Sequence, residues 1–295
     1  MDKVAFAGLG AMGSAMAWNI HRGGYPLGVY NRTATATEPF REAGVHIYSD
    51  PRSAAARADV VVIMVTDGRA LHEVVSGPDG IAEGLTAGKA VINMSTVGPE
   101  ETAAAAEAVS AKGAAFVDAP VSGTVKPAED GTLVILAGGE SNAVSRVTPI
   151  LKTMGQEVVR CGGVGQGTRM KLVLNLMLGN MMQALAEALM LGKDFNLDPE
   201  TILQAIGGGG MAAPMYQAKG RAILDGRFTK QFPIHLMFKD LNLVLQAAGE
   251  VRVPLPQTAA TRECFNGAMA HGLGDEDMAA VVKCLELLTG RKVRE

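Results

Sequence analysis

Three groups of residues in this chain have types and spacings suited to chemistry on a charged ligand. Gly8, Leu9, Gly10, Ala11, Met12 and Gly13 form a GxGxxG run between the apolar stretch Val4–Ala7 and the helical stretch Ser14–His21. In that context the first glycine permits a tight turn, the second lets the backbone approach a pyrophosphate, and the third lets the helix pack closely on the sheet. The helix start then offers unpaired N–H groups to the anion. A second group, Asn31, Arg32 and Thr33, follows the next apolar stretch. It lies about 18 residues past Gly13, where NAD enzymes usually carry an acid for the ribose hydroxyls. No acid stands there; the Arg32 guanidinium suits a 2′-phosphate, with Asn31 and Thr33 able to donate hydrogen bonds, so the expected cofactor is NADP(H).

The third group is Lys171 and Asn175, four residues apart and therefore on one helix face. Carbonyl reduction needs a proton for oxygen as hydride reaches carbon, and an ammonium supplies both charge and proton. Partial desolvation would bring the lysine pKa toward the working pH. On spacing alone, a solvated helix face is the commoner explanation of such a pair.

The elements that must hold these groups are readable from periodicity. Up to about residue 160, short β-branched runs alternate with Ala-rich helical stretches; the runs are Val4–Ala7, Leu27–Tyr30, Val60–Val65, Ala90–Met94, Ala115–Asp118 and Leu133–Ala137. Nearly continuous apolar runs suit strands covered on both faces, which predicts an α/β Rossmann-type domain with a doubly wound, mostly parallel sheet. Met64 and Val65, then Asn93 to Thr96, fall at strand carboxyl ends, where they are expected to line the adenosine and the nicotinamide ribose. From Gly165 onward no β run remains, and apolar residues recur at helical spacing through Met170–Leu191, Pro199–Ile206, Ile234–Ala248 and Met278–Leu288. The expected division is therefore 1–163 for the nucleotide domain and 164–295 for an all-α domain that carries substrate and oligomer contacts. A helix over Gly165–Gly192 would reach about 42 Å and join the two.

At 295 residues and 48% hydrophobic the chain is long enough for about two domains. Its 27 Lys plus Arg against 30 Asp plus Glu give no reason to expect a nucleic-acid or anionic-membrane partner. MDKVAFAGLG reads as no secretion signal, and Asn175, Asn180, Gln183 and Glu187 interrupt the most apolar later stretch, so no membrane span is expected. Cys161, Cys264 and Cys284 have neither disulfide-framework nor zinc spacing, and the histidines are scattered. The expectation is no metal and a cytoplasmic setting.

Asp118-Ala119-Pro120-Val121-Ser122-Gly123, the GxxxKxxxN pattern from Gly167 to Asn175, Lys239-Asp240-Leu241 and the N-terminal GLGAMG stand in one order. With them the chain resembles the β-hydroxyacid dehydrogenase family over nearly its whole length. The resemblance implies that Lys171 is the catalytic acid and Asn175 its partner, and that Ser122 and Gly123 hold a substrate carboxylate, with Thr124 beside them. It implies also that Thr96 bonds near the nicotinamide, that Lys239 approaches cofactor or substrate, and that Phe232 and Asp240 help enclose the site. Lys126 to Gly131, Phe232-Pro233 and Gly272 to Asp275 are most similar to the glyoxylate and succinic semialdehyde reductases, a subgroup associated with NADPH. Thr124 stands where 3-hydroxyisobutyrate dehydrogenases usually have a second glycine. The implied activity is NADPH-dependent reduction of a small aldehyde acid, in a homodimer or homotetramer. The alternatives are oxidation of 3-hydroxyisobutyrate or a related β-hydroxy acid, and a non-catalytic NADP-binding scaffold.

Overall fold

The computed structural model describes Met1 to Arg294 and divides into two compact units, Met1–Lys171 and the chain from Leu172 onward. The first unit is built on nine strands: β1 (Val4–Ala7), β2 (Leu27–Tyr30), β3 (His46–Ile47), β4 (Val60–Ile63), β5 (Ala90–Asn93), β6 (Ala115–Asp118), β7 (Val121–Ser122), β8 (Leu133–Gly139) and β9 (Gly155–Gly162). They form one sheet in the order β3-β2-β1-β4-β5-β6-β8-β7, with β9 beside β8. All pairings from β3 across to β6 are parallel. β8 runs antiparallel to β6 and β7 and parallel to β9. This is the expected Rossmann-type, mostly parallel α/β arrangement.

Alternate side chains of each central strand enter different cores, which is why the strands read as unbroken apolar runs. Val4 and Phe6 of β1, and Val60 and Val62 of β4, pack with Met16, Ile20, Val147 and Leu151 of the helices Ala11–Arg22 and Ser141–Met154. Ala5, Ala7, Val61 and Ile63 pack with Leu71, Val75, Ala105 and Val109 of the helices Gly68–Ser76 and Pro99–Ser110. β4 and β5 end at Ile63 and Asn93, slightly short of the expected bounds. The Met64 and Met94 amides still bond to Ala7 and Ile63, after which the chain turns away.

The second unit is helical: most of the helix Gln166–Asp194, then Pro199–Gly208, Pro214–Leu224, Ile234–Glu250, Pro256–Ala270 and Val282–Thr289. Its core gathers Met182, Leu185, Leu189, Leu203, Met237, Leu241 and Phe265. A Cβ on Gly179 would stand 2.9 Å from Leu241 and 3.1 Å from the Met237 sulfur, so that glycine brings Ile234–Glu250 against the long helix. Length and composition alone would let Gln166–Asp194 cross a membrane, but it buries Asn175 and Gln183 within this protein.

Candidate active site

In the register of the sheet Tyr30, Ala7, Ile63, Asn93 and Asp118 lie side by side, so β2, β1, β4, β5 and β6 end along one edge. The residues that follow the first four are, in spatial order, Arg32, the glycine turn, Met64 and Val65, and Thr96, while Ser122 ends β7 and Gly123 follows it, with β8 between that strand and β6. Four strand spacings cover roughly 19 Å. The chain leaves β1 for β2 and β3 on one side and returns from β3 to β4 on the other, which makes the ends of β1 and β4 the switch point where open α/β sheets take their ligands.

The glycines of the turn have different reasons to be glycine. Gly8 has φ +104, and a Cβ there would stand 2.1 Å from the Met64 carbonyl oxygen. On Gly13 it would stand 2.0 Å from the Gly8 oxygen. Both are demanded by the fold. Gly10 has an ordinary φ of −69, and a Cβ on it would meet nothing within 4 Å. Gly10 therefore leaves open space at the start of Ala11–Arg22, and that helix has no side-chain cap and no acid in its first turn. Asp50, Asp67 and Asp198 cap three other helices, so here the free N–H groups and the positive helix end remain for an external anion. The cradle fits a dinucleotide pyrophosphate.

Asn31 is committed to the turn itself. Its Oδ1 accepts from the Leu9 amide at 2.8 Å and its Nδ2 donates to the Thr33 carbonyl at 2.9 Å, so it holds the glycine turn in place rather than offering a free donor. Arg32 is exposed, with Nη1 3.7 Å from Glu73 Oε2, and Thr33 is exposed beside it. Between β4 and β5, Ser95 Oγ accepts from the Val65 amide at 2.9 Å, and Asn93 Oδ1 accepts from the Ser95 amide at 3.1 Å. The stretches carrying Val65 and Thr96 are thus tied together.

Asp118 ends β6 and is fully buried. Its Oδ1 accepts from the Gly165 amide and its Oδ2 from the Thr168 amide, both at 2.7 Å. A Cβ on Gly167 would stand 2.1 Å from the Leu136 oxygen, so only glycine lets the helix start come so close to the strands. Thr168 Oγ1 lies 3.0 Å from Thr102 Oγ1, also buried. These bonds seat the first turn of the helix that carries Lys171, three residues on, against the strand that leads into Ser122 and Gly123. Burial pushes the Asp118 carboxyl above the usual carboxylate range, against the lowering pull of its amide donors. Sequence reading placed Asp118 in a motif and gave it no role; an acid at a strand end followed by the glycine-rich approach Gly162–Gly167 was the available signal.

Gly123 has φ +139, and a Cβ on it would stand 2.7 Å from Leu133 Cδ2, so glycine is required. The next residue, Thr124, has φ −111, where any side chain is tolerated.

Lys171 and Asn175 are both buried, at 9% and 1% exposure, on successive turns of Gln166–Asp194. In the helical unit Asn175 Nδ2 donates to Asp240 Oδ2 at 2.6 Å, and Asp240 Oδ1 lies 2.7 Å from Lys239 Nζ. One buried carboxylate thus orients both the amide and the second ammonium. Phe232 is placed by a different ion pair: Lys219 Nζ reaches both Asp277 oxygens at 2.8 and 2.9 Å, and Asp277 Oδ2 accepts from the Phe232 amide at 3.1 Å. Among the described residues no cluster of three or more His, Cys, Asp or Glu could hold a metal, and the three cysteines are thiols.

Residues 3–163 match the family model described as the NAD binding domain of 6-phosphogluconate dehydrogenase, and 165–285 match the model described as the NAD-binding domain of NADP-dependent 3-hydroxyisobutyrate dehydrogenase. The chain belongs to the β-hydroxyacid dehydrogenase family. It is 37% identical to 2-(hydroxymethyl)glutarate dehydrogenase of Eubacterium barkeri, covering 99% of this chain and 97% of that one. It is 36% identical to glyoxylate/succinic semialdehyde reductase 1 of Arabidopsis thaliana, over 96% and 98% of the two chains. A solved 3-hydroxyisobutyrate dehydrogenase of Mycobacterium tuberculosis, with L-serine, superposes with a TM-score of 0.89 at 26% identity, covering 97% and 99%. Family membership makes the chain an oxidoreductase acting on CH–OH groups with a nicotinamide cofactor.

Proposed function

We propose that the protein reduces the aldehyde group of a short oxo acid, of the succinic semialdehyde or glyoxylate class, with NADPH as reductant. When bound, the cofactor supplies the hydride to the carbonyl carbon. The carbonyl π electrons then pass to oxygen, which takes a proton from the Lys171 ammonium; the amine is reprotonated from water. The supporting observation is a lysine kept from bulk water on a helix whose start is bonded to the strand leading into Ser122 and Gly123, one turn before an asparagine aligned by Asp240. In a site with little water, a charge placed where the alkoxide forms has most effect. Ser122 and the Gly123 amide are assigned to the substrate carboxylate, with Thr124 shaping the pocket next to them. Arg32, with no acid at the end of β2, supports NADPH over NADH.

Lys171→Ala is expected to lower turnover by orders of magnitude while NADPH still binds with nearly the parent affinity. Comparable turnover in that variant rejects the assignment. The relation to 2-(hydroxymethyl)glutarate dehydrogenase favours a second reading, oxidation of a β-hydroxy acid. Rates with a panel of aldehyde acids and hydroxy acids, each with both cofactors, separate the two. We further propose a cytoplasmic setting, on the cysteine pattern, and a homodimer or homotetramer, as the family resemblance implies; sedimentation as a monomer at micromolar concentration rejects the oligomer.

A further inference from the structure

This inference rests on the assignment of Arg32 to the cofactor's 2′-phosphate. Arg32 follows β2, whereas Glu73 and Arg69 belong to the helix Gly68–Ser76 after β4, and β1 with its glycine turn lies between those strands. Arg69 Nε stands 2.9 Å from Glu73 Oε1, and Arg32 Nη1 stands 3.7 Å from Oε2 of the same carboxylate. An Arg–Glu pair four residues apart on a helix is ordinary. The arginine arriving from the other side of the glycine turn is not: two guanidiniums from separate strand ends converge on one anion.

We propose that Arg69 and Glu73 are specificity-determining residues for the cofactor, Arg69 as a second cation for the 2′-phosphate and Glu73 as an acid that competes with it. Both arginine side chains are more than four-fifths exposed, so releasing Arg32 from Glu73 costs little. A phosphate monoester carries about −1.5 to −2 charge and three acceptor oxygens, against one charge and two oxygens for the carboxylate, so it takes both guanidiniums from Glu73. Glu73, one helix turn from Arg69, then stays close enough to the phosphate to repel it, most strongly at low salt. The same carboxylate stands near the β2 end, where an acid for unphosphorylated ribose is missing. The chain therefore prefers the phosphorylated cofactor less strongly than its two arginines alone would make it.

The test is calorimetric titration of the full chain with 2′,5′-ADP and with 5′-AMP at low ionic strength, reading the ratio of the two affinities. Arg69→Ala should lower the ratio about tenfold, and Glu73→Gln should raise it about three- to fivefold. Both changes should shrink in about 0.5 M salt. If Arg32→Ala collapses the ratio while Arg69→Ala and Glu73→Gln leave it unchanged, or if Glu73→Gln lowers it, the roles given to Arg69 and Glu73 are wrong and Arg32 keeps its own. If Arg32→Ala leaves the ratio at the parent value, the underlying cofactor assignment fails, and this proposal with it. The two arginine side chains are largely exposed and that of Glu73 is about half exposed, so the variants should fold; Trp18 fluorescence checks that they do.

Discussion

At the scale of single residues, the glycine turn separates what the backbone requires from what a ligand requires. All three glycines look alike in the string GLGAMG, and only the fold shows that a Cβ on Gly8 or Gly13 would meet backbone oxygens at 2.1 and 2.0 Å while one on Gly10 would face open space. Gly10→Ala should leave stability unchanged or raised by up to about 1 kcal/mol, because its φ suits alanine and the unfolded chain loses freedom. It should nevertheless weaken dinucleotide affinity by at least about tenfold, since a methyl group occupies the approach to the phosphates. Gly13→Ala should instead destabilise by more than about 2 kcal/mol, as backbone must move. Urea melts paired with NADPH titration check both, and a Gly10→Ala protein with the parent affinity contradicts the pyrophosphate assignment. Arg32 was likewise legible as a cation, but its sharing of Glu73 with Arg69 was not, because Arg32 and Glu73 meet only once β2 and β4 flank β1.

Among elements, the junction of β6 with Gln166–Asp194 holds the helix turn that precedes Lys171, the residue proposed as the proton donor. Asp118→Asn replaces one acceptor by an NH2 group facing a helix amide, and should cost about 1–3 kcal/mol of stability. If the junction positions Lys171, the turnover number should fall about tenfold or more, as displacements of an ångström do, with NADPH affinity within about twofold of the parent. A glutamate at 118 should not restore it, because the added methylene has no room beside Gly138 and Gly167. The pH dependence has a definite sign. Asp118 in the folded protein holds its proton to higher pH than in the unfolded chain, so between the two pKa values folding binds protons and stability falls as pH rises, then levels off above the folded value. Removing this ionisation should flatten that part of the stability curve; melts from acid to neutral pH measure it. The central strands were readable because both faces are covered and apolar residues run on without a break. β3 and β7, two residues each, and β9, mostly exposed or half-buried, offered no such run.

Over the whole molecule, each unit has its own internal fastening. In the helical unit it is Lys219 with Asp277, 9% and 3% exposed. Lys219→Met leaves a buried carboxylate without its cation, and should lower stability by about 3–5 kcal/mol. Far-UV circular dichroism should register the loss, whereas the lone Trp18, stacked on Phe40 at 4.3 Å in the nucleotide unit, gives an independent fluorescence reading of the other. Equal shifts in both signals would show that the pair supports the entire chain rather than one half. The class of each half was legible from its pattern, unbroken apolar runs and then a 3.6-residue period, but its fastenings were not, since Lys219–Asp277 and Asn175–Asp240 join residues far apart in sequence. The backbone at Thr124 is ordinary while its neighbour Gly123 tolerates no side chain. Mutation at 124 can therefore accumulate without dismantling the turn at Gly123, and if that turn holds the substrate carboxylate as proposed, descendants of this gene can acquire a taste for longer or bulkier acids through that single codon.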